Sequence, residues 1–112
     1  MRFLCVYMAA EGVPPSQQHM EDMGKLIGEM TAAGVLLGTE GCLPSALGAR
    51  VRRSNGKITV TDGPFIETKE VIAGFALIKV KSKEEALLWT RRFLDVAGDG
   101  ECEIRQVNEA PA

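Results

Sequence analysis

The sequence is poor in the residues that most often mark a catalytic or metal site. It has one histidine, one tryptophan and one tyrosine, and aromatic residues make up only 5% of its 112 residues. Its three cysteines are isolated, with no CxxC pair, so neither a disulfide framework nor a zinc site is indicated. No glycine-rich loop with phosphate-binding spacing follows a predicted strand. We therefore expect neither a metal ion nor a cofactor.

Long apolar runs and extended stretches of one charge are also missing. No segment approaches the roughly 20 apolar residues of a membrane-spanning helix, and the first ten residues lack a signal-peptide pattern. The formal net charge is −2, and the basic residues are scattered apart from Arg50, Arg52 and Arg53, too few for a phosphate-tracking surface. We expect a single cytoplasmic domain over residues 1–112 that binds neither nucleic acid nor membrane.

The first third of the chain predicts a buried strand and an amphipathic helix. Residues 3–8 are almost continuously apolar, which is typical of a strand covered on both faces. Ser16 is suited to cap a helix whose apolar positions recur at helical spacing, and Gly34 is suited to end it. A short strand at residues 35–37 is predicted to run into a turn-rich stretch over residues 38–48.

The dipeptide Asn55-Gly56 predicts a β-hairpin. Both residues of a type I′ turn need positive φ, which asparagine and glycine tolerate best. With these two residues as the loop, strands 49–53 and 57–61 pair so that Val51 lies opposite Val60. The register also places Arg50 and Arg52 on the other face, with threonines opposite them.

The remaining elements complete an α+β fold. A strand is predicted at residues 74–80, and a last strand at residues 101–107. Between them we predict a helix that starts with the capping box Ser82 to Glu85. The resulting order is the ferredoxin-like βαββαβ arrangement with an inserted β-hairpin. Its two helices cover one face of the sheet, and we expect Phe3, Cys5, Tyr7 and their neighbours to make the other face apolar. A second copy of the chain would cover that face.

Residues 60–70, with the sequence VTDGPFIETKE, resemble the signature of the DGPF-domain proteins within the YCII-related family. Residues 41–45 before the hairpin, Gly74-Phe75 after the signature, and Glu85-Ala86 with Trp89 on the second helix also fit this family. The resemblance implies a dimeric α+β barrel. It places the chain in a superfamily that includes isomerases, dehalogenases and monooxygenases acting in a pocket between sheet and helices. Some relatives are thought to accompany alternative sigma factors.

Two residues are the candidates for proton transfer. The resemblance implies a His–Asp pair with the histidine on the first helix. In this chain Met23 occupies the position of that histidine, and His19 lies about one turn before it. From helical periodicity, His19 projects between Leu26 and Met30 toward the sheet, and the helix N-terminus favours a neutral imidazole that can act as a base. Asp62 belongs to the signature and either assists His19 or holds the turn through backbone hydrogen bonds.

Five further residues are candidates for binding a ligand. Glu40 lies in a glycine-flanked loop at the expected pocket mouth and is suited to be a second acid. Arg50 and Arg52 share one hairpin face, where they either clamp a carboxylate or pair with acids of the next loop. Glu67 and Lys69 belong to that charged loop, which reaches a ligand only if it folds back over the pocket.

Two functions are compatible with these residues. The first is a cofactor-independent enzyme that performs an isomerase- or lyase-like proton transfer on a small anionic organic compound held between the first helix and the sheet. The alternative is a ligand-binding or regulatory module without turnover, which presents the hairpin and the charged loop to a protein partner such as a sigma factor. Loss of turnover on replacing His19 would favour the first, and loss of partner capture on replacing Arg52 or Glu67 the second.

Overall fold

The computed structural model describes residues 1–110. Six strands, two α-helices and one short 3₁₀-helix follow one another along this part of the chain. In chain order they are β1 (Arg2–Ala9), α1 (Gln17–Ala32), β2 (Leu36–Gly41), the 3₁₀-helix (Ser45–Leu47), β3 (Ala49–Ser54), β4 (Lys57–Asp62), β5 (Val71–Lys79), α2 (Lys83–Ala97) and β6 (Glu101–Gln106).

The main sheet has the order β2-β5-β1-β6, and all its pairs are antiparallel. Without the hairpin β3–β4, this is the strand arrangement of the ferredoxin-like βαββαβ fold, so the predicted α+β fold class is confirmed. The strand β2 is longer than expected, since it continues through Gly38 to Gly41. It does so because β5 starts at Val71 and offers a pairing edge over this whole length.

The helices begin where their capping residues predict. The Ser16 hydroxyl accepts a hydrogen bond from the backbone N–H of His19, and the Ser82 hydroxyl accepts one from that of Glu85. The reciprocal half of the capping box differs from expectation, because the Glu85 carboxylate accepts from the backbone N–H of Lys81. Gly34 follows α1 with φ +72°, the left-handed conformation that suits glycine at a helix end.

The hydrophobic core lies between the two helices and one face of the main sheet. Its seven buried residues are Phe3, Leu26, Met30, Val35, Ile78, Val80 and Ala86. Each larger side chain among them contributes about 1.5–3 kcal/mol when it is fully removed from water. The ion pair between Arg92 of α2 and Glu29 of α1 spans the two helices at the surface, where such pairs add about 0–1 kcal/mol.

The expected assignment of the two sheet faces was wrong. Phe3 is in the core, Cys5 packs against it, and the Tyr7 ring meets the α2 ring of Phe93 edge-on at 5.1 Å, so these three residues face the helices. The face without helices, which we call the open face, carries the alternate residues. Its apolar members are Leu4, Val6 and Met8 of β1 and Ile72, Phe75 and Leu77 of β5. The open face is nevertheless apolar, as predicted.

The hairpin β3–β4 forms a separate two-stranded sheet, which we call the arm (residues 49–62). Its register is the predicted one, with Val51 opposite Val60 and Arg52 opposite Thr59. Asn55 and Gly56 have φ of +52° and +78°, as a type I′ turn requires. Every residue of the arm is exposed.

Candidate functional site

A cavity of about 1120 Å³ lies between the helices and the helix-facing side of the main sheet. Ligand pockets are typically roughly 300–1,000 Å³, so the space is sufficient for a small organic molecule. Leu26 and Met30 of α1 and Trp89 and Phe93 of α2 contribute apolar surface to it. The lining therefore favours a molecule with a substantial apolar part.

His19 lies at this cavity, as its helical position predicts. It is half-buried and belongs to the first turn of α1, where the Ser16 cap fixes its backbone. Across residues 1–110, no protein group hydrogen-bonds to the imidazole ring. A ring nitrogen is therefore available to a bound molecule.

All three cysteines also line the cavity, although their environments differ. Cys5 and Cys102 lie on the helix-facing side of β1 and β6 and are half-buried. Burial raises the pKa of the Cys5 thiol, and burial followed by the neighbouring Cys5 raises the pKa of Cys102 to about 11. These two thiols are poor nucleophiles at neutral pH, because the thiolate is the reactive form. Cys42 is exposed at the cavity margin.

Of the five predicted binding residues, only Glu40 lies at the cavity with His19. It is not a loop residue as expected but part of β2, where its cross-strand partner is Phe75. Next to it, the Thr39 hydroxyl donates to the Phe75 carbonyl oxygen at 2.9 Å. Because cross-strand partners share a face of the sheet, the Glu40 side chain lies on the open face with Phe75, and Thr39 is the residue of this pair on the helix-facing side.

The other predicted site residues belong to the arm and the loop that follows it. Among the residues described, Arg50, Arg52, Asp62, Glu67 and Lys69 do not line the cavity, and all are exposed. The structure therefore does not bring Asp62 to His19 within one chain.

The guanidinium of Arg50 forms an ion pair with Glu67 and stacks 3.9 Å from the centre of the Phe65 ring. A hydrogen bond from its own backbone N–H, followed by one from Arg50, lowers the pKa of Glu67. Of the two roles considered for Arg50, pairing with an acid of the next loop is the one present in this chain. The pair fixes the loop that carries the signature sequence.

A second cluster, which we call the junction, joins the arm to the body through Glu11, Ser45, Gly63 and Phe65. The Glu11 carboxylate accepts hydrogen bonds from the Ser45 backbone N–H at 2.5 Å and from its hydroxyl at 2.6 Å. The same hydroxyl accepts from the Phe65 backbone N–H at 3.2 Å. Hydrogen bonds from the Ser45 hydroxyl and backbone hold the pKa of Glu11 below its usual value.

Gly63 packs directly on the backbone of Ser45. A Cβ atom at this position would lie 1.7 Å from the Ser45 carbonyl oxygen and 2.6 Å from its carbonyl carbon. The Gly63 N–H also donates to the Gly48 carbonyl oxygen at 3.0 Å. The glycine of the DGPF signature is therefore required for close backbone contact, whereas the Asp62 carboxylate accepts no hydrogen bond within residues 1–110.

Sequence reasoning did not identify Glu11 or Ser45. Ser45 belongs to residues 41–45, which resemble the YCII-related family. This resemblance indicated that the segment matters but not that Ser45 bonds to Glu11. Glu11 had no such signal, because its partner is 34 residues away and the two meet only when the loops fold together.

Within residues 1–110, no group of three or more histidine, cysteine, aspartate and glutamate side chains is arranged to hold a metal ion. No helix in this part of the chain combines the length and apolarity that a bilayer crossing demands.

Known proteins similar to this chain include a domain family and a bacterial relative. The family model for the YCII-related domain matches residues 1–110. An uncharacterized protein of Rhizobium meliloti (strain 1021) is 39% identical over 72 residues, which are 64% of this chain and 58% of that protein. The match thus spans little more than half of the relative's length.

Proposed function

The chain belongs to the family of YCII-related domains, and we propose that its cavity binds a small organic molecule on which His19 performs a proton transfer. The observation that supports this most directly is the position of the chain's one imidazole at a large, mainly apolar cavity. Such a cavity with a few polar groups is the usual form of a small-molecule site.

The ligand would place its apolar part against α1, α2 and the sheet. Its reacting carbon or oxygen would lie near the His19 ring, which can take up a proton and return it at another position. That step needs no metal or cofactor, because the same histidine acts as base and then as acid. The proton transfer is assigned to His19 because Asp62 does not line the cavity and the Glu40 side chain shares the open face with Phe75.

We propose that the ligand carries an anionic group. No lysine or arginine within residues 1–110 lines the cavity, so the support comes from the N-terminus of α1, where the first N–H groups lack carbonyl partners in the helix. Ser16 and His19 bring this helix end to the cavity. A ligand whose carboxylate lies at the N-terminus of α1 and whose apolar part lies deeper in the cavity would match both the helix end and the apolar side chains.

We also propose that the protein is a homodimer that covers the open face. On this face Leu4, Ile72 and Phe75 are exposed by 37%, 56% and 42%. Three neighbouring large apolar side chains with this exposure are unfavourable in water, at about 25 cal/mol per Å² of apolar surface. A second copy offers the same surface and would cover it by twofold symmetry.

A thermal-shift screen tests the cavity. The wild-type protein would be scanned against small carboxylates, lactones and phenolic acids, together with His19→Ala and the exposed neighbour Gln18→Ala as matched control. A ligand at one hundred times its Kd adds about 2.7 kcal/mol, and each kcal/mol raises the melting temperature of a domain this size by roughly 4–8 °C. We expect at least one stabilising compound whose effect is reduced in His19→Ala but kept in Gln18→Ala.

Turnover of that compound tests the chemistry. Loss of a general acid–base residue typically lowers the rate by about 10²–10⁴-fold, so His19→Ala should lose turnover to this extent while Gln18→Ala retains it. A compound that binds but is turned over equally by both variants would exclude proton transfer by His19. A screen without any stabilising compound would count against the whole proposal.

A further inference from the structure

The cavity forms where the helix-facing side of the main sheet loses its large side chains. At the core end of β2, β5 and β1, the cross-strand neighbours are large and apolar: Leu36, Ile78 and Phe3. Toward the cavity, the next two rows on these strands carry only small residues apart from Tyr7, namely Thr39, Ala76, Cys5, Gly41 and Gly74. All five line the cavity. Its floor is therefore a stretch of sheet without large protruding side chains.

Gly74 is essential to this floor. A Cβ atom at this position would lie 2.8 Å from the Glu40 carbonyl oxygen and 3.3 Å from the Gly41 Cα atom. The lack of a side chain therefore lets β2 pair closely with β5. It also leaves backbone, and not a side chain, beside Tyr7 on the helix-facing side.

The ring of Tyr7 stands at the end of this floor in a fixed position. It meets the Phe93 ring edge-on at 5.1 Å, and its hydroxyl donates to the Asp99 carbonyl oxygen at 3.0 Å. Gly100 packs so closely on it that a Cβ atom there would lie 2.5 Å from the ring. Three separate contacts thus hold the ring, which makes it a rigid part of the cavity lining.

Aromatic side chains are concentrated at the cavity. The chain has one tyrosine and one tryptophan, and both line the cavity together with Phe93. We call Tyr7, Trp89 and Phe93 the aromatic wall; all three are only half-buried in the free protein. On the side of α1, the lining includes the thioethers of Met23 and Met30, and such sulfur atoms contact ring edges favourably.

We propose that the apolar part of the ligand is a planar aromatic ring, which lies on the small-residue floor and packs against the aromatic wall. This inference rests on the proposed function and adds the ligand class, an aromatic carboxylate. Offset or edge-on aromatic pairs raise an affinity by a factor of roughly 2–12 beyond the effect of the buried area. A planar ring also follows a floor without protruding side chains more closely than a puckered saturated ring does.

The test compares naphthoate with decahydronaphthoate, which has the same carbon skeleton and carboxylate but a saturated, puckered ring system. The saturated acid has the larger apolar surface, so burial of apolar area alone predicts that it binds at least as tightly. Isothermal titration calorimetry on the wild-type protein gives both Kd values. We expect naphthoate to bind at least about tenfold more tightly, because its ring makes more than one aromatic contact.

A matched pair of variants locates the source of the preference. Phe93→Leu removes one ring of the aromatic wall but keeps an apolar side chain there. Phe65→Leu makes the same change at the junction, outside the cavity lining. The ratio of the two Kd values should fall by at least about twofold in Phe93→Leu and stay at the wild-type value in Phe65→Leu.

The outcomes separate this inference from the function on which it rests. Equal binding of the two acids, or tighter binding of decahydronaphthoate, would overturn the aromatic ligand and leave the cavity as a binding site. A preference for naphthoate that survives unchanged in Phe93→Leu would refute the role of the aromatic wall. If neither acid binds, the aromatic ligand is excluded, and the proposed function is excluded with it only when the wider thermal-shift screen also lacks a stabilising compound.

Discussion

Replacing Gly63 by alanine adds only one methyl group but should destabilise the protein substantially. The added Cβ would lie 1.7 Å from the Ser45 carbonyl oxygen and 3.2 Å from the Ala46 backbone nitrogen. These are backbone atoms, so no side-chain rotation can relieve the contact. The loop after the arm must therefore move away from the 3₁₀-helix.

The size of the effect follows from what that movement breaks. Overpacking a well-packed site costs about 1–3 kcal/mol. The movement also stretches the hydrogen bonds from the Phe65 N–H to the Ser45 hydroxyl and from the Gly63 N–H to the Gly48 carbonyl oxygen. Each is worth about 0.5–1.5 kcal/mol. Because the two hydrogen bonds are stretched and not lost outright, we expect Gly63→Ala to lower the free energy of unfolding by about 2–4 kcal/mol.

Urea unfolding at fixed protein concentration measures this quantity. With a slope of about 1–3 kcal/mol per molar urea, the midpoint should fall by at least about 0.7 M. Gly48→Ala is the matched control, because its φ of −113° is allowed for alanine and its Cβ would lie 3.5 Å from the Ser45 carbonyl oxygen. If Gly63→Ala unfolds within about 0.5 kcal/mol of wild type, the junction does not constrain the fold as the structure indicates.

Two further predictions follow from the titratable groups. Because the folded-state pKa of Glu11 lies below its usual 4.5, its contribution to stability is present above that value and lost as pH falls through the folded pKa. Urea midpoints between pH 6 and pH 3 should therefore decline less steeply in Glu11→Gln than in wild type, and parallel curves would contradict this. Iodoacetamide at pH 8 should modify the exposed Cys42 well before Cys5 and Cys102, as peptide mapping over time would show; equal rates would refute the protected environment of the two strand thiols.

The sequence alone predicted the features that depend on neighbours along the chain. The caps at Ser16 and Ser82 are contacts across three residues, and the hairpin register follows from the conformational freedom of Asn55 and Gly56. The inward direction of His19 follows from 100° per residue in a helix. The ferredoxin-like order then follows from the succession of elements.

Tertiary structure decided what depends on residues far apart in sequence. The sequence of a strand that is apolar on both faces does not indicate which face meets the helices. The packing of Tyr7 on Phe93 shows that the expected assignment was reversed. The pairing of β2 with β5 turned the expected loop at Glu40 into strand, and the partnership of Glu11 with Ser45 arose only when two loops met. Local sequence determines backbone conformation, whereas the packing of distant segments determines which side chains share a site.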